Sequence, residues 1–284
     1  MRRLGVSTCL MLCLVLVAGG CSAAPARPPV FAGGTPSVSA SADTPAVVPA
    51  PATSAAPQPS RRPGKGPLSG KVIVLDPGHN GDASHPEILN QLVDAYTKLK
   101  PCNTTGTQTP AGYPEHAFNW DLANRLAALL RAAGATVLLT RPSDTGIGPC
   151  ITERAAIGNR NKAAAVVSIH ADGHPDGGPG FHVMEPALIA GAPSVPIVPA
   201  SHRLAVAVRD RLRAIQPPAG YIGTDGLNVR DDMGGLNLSR VPVVMVECGN
   251  MKDPADAIKL STPAFRQRLA AALATGLSTY LGTH

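Results

Sequence analysis

Five short apolar, β-branched runs recur along the chain, at residues 71–75, 135–140, 164–169, 180–184 and 242–247, and segments with helical spacing of apolar side chains separate them. Runs of this kind read as strands buried on both faces. The clearest helix covers 115–133, where Phe118, Leu122, Leu126, Leu129, Leu130 and Ala133 share a face and Gly134 supplies a stop. Residues 152–162, with Thr152 as N-cap, 201–215 and 263–281 are further helices. Strands alternating with helices predict an α/β domain whose central sheet is largely parallel and flanked by helices. Residues 69–284 number 216, enough for one such domain to bury roughly 70% of its unfolded surface.

In a sheet of this kind, chemistry collects at the carboxyl ends of the strands. The first run is followed by Asp76-Pro77-Gly78-His79-Asn80-Gly81, the third by His170-Ala171-Asp172, and the last ends in Glu247-Cys248-Gly249-Asn250. Glu115 opens the long helix directly after Pro114. Two histidines and a carboxylate, with one position left for water, make a catalytic zinc site. His79, Glu115 and His170 are therefore candidate ligands of one zinc ion. Glu247 ends an apolar strand, where desolvation raises a carboxyl pKa, and is suited to act as general acid and base. The intervals between these residues are too long for a local spacing rule, and any one histidine alone reads first as a hydrogen-bonded structural residue. Their recurrence at strand ends is what favours ligands.

Asp172 is expected to orient His170 or to cap a turn. Arg154 reads either as an ion-paired structural arginine or as a substrate contact. His85, His116, His174, His182 and His202 read as structural or solvated. Residues 80–114 form a long segment between two candidate ligands, expected to border the site and shape access to it.

Ahead of this domain the composition changes. Residues 1–20 carry Arg2 and Arg3, an apolar stretch and then small residues, too short to span a membrane but suited to a secretory signal peptide. Ala18-Gly19-Gly20-Cys21 resembles a lipoprotein cleavage box, with Cys21 as the lipid acceptor and membrane anchor. Residues 21–68 are rich in proline and alanine, with few large apolar side chains, and are expected to form a disordered tether. The formal charge of +6 invites a nucleic-acid reading, but six of the 25 basic residues and one of the 19 acidic residues precede Ser69. The domain is nearly neutral, and nucleic acid is excluded as a partner. Beyond the leader and Cys21, three cysteines remain. Cys102 and Cys150 lie in loop-like sequence and are expected to form a disulfide, worth about 4 kcal/mol by loop-closure entropy, with Cys248 buried and reduced.

Taken together, Val72 to Gly81, Glu115 ahead of its helix, Ser168-Ile169-His170-Ala171-Asp172 and Val246-Glu247-Cys248-Gly249-Asn250 resemble the zinc-dependent N-acetylmuramoyl-L-alanine amidases of the amidase_3 family. Tyr113-Pro114-Glu115-His116, Gly226-Leu227-Asn228 and Gly235-Leu236-Asn237-Leu238 are similar to stretches in its compact mycobacterial members. The resemblance implies hydrolysis of the amide between the lactyl group of N-acetylmuramic acid and L-alanine, with His79, Glu115 and His170 on zinc and Glu247 catalytic. Asn80-Gly81 replaces the commoner Gly-Gly, and Cys248 a common aliphatic residue. Strand alternation should point Cys248 away from the site. The expected substrate is peptidoglycan or muropeptide fragments, met by a monomer in the periplasmic or cell-wall space. The alternatives are a zinc carboxypeptidase or endopeptidase on stem peptides, and a non-catalytic peptidoglycan-binding lipoprotein.

Overall fold

The computed structural model describes residues 65–282. The expected leader, Cys21 and nearly all of the expected tether lie outside the described residues. Six strands form one sheet: β1 (Val72–Pro77), β4 (Thr136–Leu139), β5 (Ala165–Asp172), β6 (His182–Pro186), β7 (Leu227–Arg230) and β8 (Val243–Asn250). Their order is β4-β1-β5-β8-β6-β7, with all pairs parallel except β6 against β8. A separate hairpin joins β2 (Leu92–Asp94) to β3 (Leu99–Pro101). The helices are α1 (Pro86–Leu89), α2 (Glu115–Ala132), α3 (Ile151–Arg160), α4 (Val198–Arg213), α5 (Gly234–Asn237), α6 (Pro254–Ser261) and α7 (Pro263–Gly282).

Strand alternation divides the sheet into two unequal faces. Ile73 and Leu75 of β1, Val167 and Ile169 of β5, and Val244, Val246 and Cys248 of β8 pack with α2, α4 and α7 into the main core. Cys248 is thus buried and free on the side away from Glu247, as alternation requires. On the opposite face Val74, Val166, Val243, Met245 and Met184 make a smaller cluster with Leu236 of α5. Among the described residues, α3, α5 and loops cover that face, and the cleft lies there.

The long helix forms as its spacing predicts. Phe118, Leu122, Leu126 and Leu130 are fully buried on one side of α2. Gly134 ends it at φ +97, a left-handed conformation that a Cβ disfavours. At α3 the expectation needs correction. Thr152 does not cap it; Cys150 occupies the cap position, and the first amide, Ile151 N, donates to Cys102 O at 2.9 Å. The Cys102–Cys150 disulfide holds the two strands of chain together there. Helix α4 starts three residues earlier than expected, because Pro199 fits its first turn. The hydroxyl of Ser201, expected at its start, instead accepts from Val243 N at 3.1 Å. The packed domain also begins earlier than residue 69: Leu68 is 1% exposed in the core, and its amide donates to Ala133 O.

Candidate metal centre

The loop after β1 is bent by a left-handed residue that is not glycine: His79 has φ +62, a conformation costing about 1–2 kcal/mol. Buried arginines hold it there. Arg154 donates to Asp76 Oδ1, Pro77 O, His79 O and Asn80 Oδ1 at 2.8–2.9 Å, and Arg141 adds a bond to Pro77 O at 2.9 Å. Of the two readings for Arg154, this is the ion-paired structural one. Burial pushes the Asp76 carboxyl up, but the charge of Arg154 and bonds from Thr140, Ser168 and Arg154 outweigh it and hold the pKa at about 2.

On this loop His79 points Nε2 to within 2.9 Å of Glu115 Oε2. Its Nδ1 lies 2.9 Å from Thr104 O, which accepts a hydrogen bond from Nδ1–H and leaves Nε2 able to serve as a ligand atom. Glu115 is the first residue of α2, where the helix dipole favours a carboxylate. It accepts from Thr107 N at 3.0 Å and Ala171 N at 3.2 Å. His170, on β5, places Nδ1 3.0 Å from Glu115 Oε1. The two imidazoles meet edge to face with centroids 4.8 Å apart. Gly78 makes this possible, since a Cβ there would stand 2.1 Å from His170 Cε1. One ligand atom from each of His79, Glu115 and His170 lies within 4.8 Å of the others, so the three could hold a metal ion.

The electrostatics suit a cation. Burial raises the Glu115 carboxyl, but the facing His79 and His170 outweigh it and hold it well below the usual carboxylate range. Burial lowers the His79 imidazole, but Glu115 reverses the shift and raises it. A proton there occupies the place a metal would take.

Glu247 stands beside this group. Register pairs it with His170 on the adjacent strand, so the two side chains share a face. Burial first, then the charges of Glu115 and Asp172, push its carboxyl well above 4.5, against the opposing charge of Arg230. A carboxyl whose pKa is raised in this way, beside three groups that could hold a metal ion, is suited to proton transfer.

These four residues line a cleft of about 480 Å³. Lys100, Asn103, Thr104, Gly106 and Thr107 line its other side, so the segment 80–114 borders the site as expected. Asp172 lines the cleft without contacting His170: it accepts from its neighbour Gly173 N at 2.6 Å and from Tyr221 OH at 2.9 Å. It makes no hydrogen bond to His170 and so does not orient that ring. His116 turns away to Asp144, and His202 pairs with Glu185. Sequence reasoning passed over Thr104, Thr107 and Arg141. Thr107 acts through its backbone amide, which no side-chain pattern reveals, and Thr104 through its carbonyl together with its hydroxyl, 3.1 Å from His79 Nδ1.

Residues 73–279 match the Amidase_3 family, described as N-acetylmuramoyl-L-alanine amidase. The chain is 42% identical over 221 residues to the N-acetylmuramoyl-L-alanine amidase Rv3717 of Mycobacterium tuberculosis, covering 76% of this chain and 88% of that one. Its fold is similar to the crystal structure of the N-acetylmuramyl-L-alanine amidase Ami1 from Mycobacterium smegmatis, with TM-score 0.72 and 42% identity over 76% of this chain and 99% of that one. The apo form of Ami1 from Mycobacterium abscessus is similar with TM-score 0.71 and 43% identity over 75% of this chain and 100% of that one.

Proposed function

The chain belongs to the Amidase_3 family of N-acetylmuramoyl-L-alanine amidases and is an enzyme of that activity on peptidoglycan, and we propose that it works through one zinc ion held by His79, Glu115 and His170, with Glu247 as general acid and base. The observation that carries this reading is the convergence of three ligand atoms within 4.8 Å of one another, beside a buried carboxyl on the neighbouring strand. Two imidazoles and one carboxylate fit zinc with a position left open. The ion supplies a water with pKa lowered to about 7 and polarises the scissile carbonyl.

The protein's own residues account for the remaining steps. Thr104 O fixes the tautomer of His79, and the backbone amides of Thr107 and Ala171 fix the carboxylate of Glu115. Glu247 takes a proton from the attacking water as its oxygen bonds to the lactyl carbonyl carbon. The C–N bond then breaks, and Glu247 returns the proton to the departing amine of L-alanine. The free lactyl carboxyl and the intact stem peptide leave.

The substrate places the enzyme outside the cytoplasmic membrane. We assign residues 1–20 to export, Cys21 to lipid anchoring and 21–68 to a tether, and we take the catalytic domain to act as a monomer on wall or muropeptide fragments. Metal analysis combined with Glu247→Ala tests the mechanism. The expected result is one zinc per chain in both proteins and loss of activity only in the variant; an unchanged rate in Glu247→Ala would remove Glu247 from it.

A further inference from the structure

The antiparallel pairing of β6 with β8 sets His182 directly opposite Glu247, while Glu247 is paired with His170 on its other side. Side chains directly opposite on neighbouring strands share a face with Cβ atoms about 4.5–5.5 Å apart. His170, Glu247 and His182 therefore form one row across three strands; the first two line the cleft, and His182 lies buried behind Glu247. The next residue of β6 on that face is Met184, opposite Met245, an ordinary apolar pair. A histidine in this row is not what packing alone would select.

His182 is 1% exposed, and among the described residues neither ring nitrogen has a hydrogen-bond partner. The nearest approach is Nε2 to Asp172 Oδ2 at 3.5 Å, at the limit of a hydrogen bond. Leaving a buried polar group in that state costs about 1–3 kcal/mol. Glu247 shows the same condition, since its Oε2 is also buried without a partner. Two unsatisfied groups thus sit side by side at the reacting end of the sheet. Asp172 is itself fixed, with Oδ1 on Gly173 N and Oδ2 accepting from Tyr221 OH.

We propose that His182 is a positioning residue for amide hydrolysis, oriented by Asp172 and Tyr221 and acting on the carboxyl of Glu247. Asp172 accepts from Nε2–H of His182, which leaves Nδ1 as an acceptor. That nitrogen holds the O–H of Glu247 during the interval between its taking the proton of the water and its giving it to the departing amine. The proton stays on Glu247 throughout, and His182 sets the direction in which that carboxyl faces. Tyr221 and Asp172 hold the imidazole as second-layer partners hold a catalytic histidine. This inference rests on the role proposed above for Glu247.

His182→Leu tests it, because leucine fills a buried apolar position and removes both nitrogens. The expected result is retained zinc content and KM, with kcat lower by about 10–100-fold, the effect typical of an outer-layer partner. His182→Gln, which keeps a donor and an acceptor, should recover much of that loss. Tyr221→Phe removes only a hydroxyl and should lower kcat by less, with little further loss when combined with His182→Leu, since coupled groups are not additive. The inference is overturned if His182→Leu keeps kcat within about twofold, a change below 0.5 kcal/mol, or if its loss tracks lost zinc. Independent, multiplying losses in the double variant would overturn it too. Failure of the underlying mechanism reads differently, as an active Glu247→Ala protein.

Discussion

Gly78 is where the metal centre is most sensitive to one added carbon. A Cβ there would stand 2.1, 2.3 and 2.6 Å from Cε1, Nε2 and Nδ1 of His170, against 3.4 Å for ordinary contact. The obstacle is a ring held in a row of strands, so it cannot swing aside as a lysine tip would. Relieving the closest contact requires a displacement of about 1.3 Å, the difference between 3.4 and 2.1 Å. Metal–ligand distances tolerate only about ±0.2 Å. The backbone gives no separate reason for failure, because Gly78 is not in the left-handed region. Gly78→Ala should therefore fold and retain its disulfide while losing zinc affinity by at least about 100-fold, or about 2.7 kcal/mol. Gly146→Ala, with nothing within 4 Å of the added carbon, is the matched control. Competition against a chelator of known affinity reads the loss, and thermal unfolding of both metal-free proteins checks the fold. Wild-type zinc affinity in Gly78→Ala would refute the assignment of His170 as a ligand.

Arg154→Met should lower stability by about 3–5 kcal/mol, because it strands the Asp76 carboxylate and frees the carbonyls that hold His79 in its left-handed turn; urea unfolding checks the magnitude, and zinc titration should show weaker binding. Asp76 gives the acid limb of stability its shape. Its folded pKa lies below the ordinary value, so its contribution is present above pH 3.8 and disappears as pH falls through about 2, which amounts to about 2 kcal/mol. Asp76→Asn should flatten that limb between those values in pH-dependent unfolding.

Much of the sheet was legible because β1, β5 and β8 are buried on both faces and write themselves as continuous apolar runs. The four site residues were legible for a related reason, since three end such runs and the fourth opens a helix after a proline. Strand β7 was not, being four residues long with Val229 facing out. The hairpin was hidden by exposed Leu92 and Leu99, which break any apolar pattern. Helix α6 carried a usable signal that went unread: Asp253 caps it through bonds from Ala255 N and Asp256 N, with Pro254 at its start. The place of His182 was beyond sequence reasoning. It depends on which residue of β6 stands opposite Glu247, and antiparallel register between strands some sixty residues apart is set by the packed sheet.

The chemistry itself is settled by the masses of the products from a defined disaccharide-pentapeptide, measured with and without chelator and after zinc is restored. A zinc-dependent amidase yields the free lactyl-bearing disaccharide and an intact pentapeptide, loses both products with chelator and regains them with zinc. A shortened peptide, or cleavage that continues undiminished in chelator, would contradict the zinc amidase mechanism.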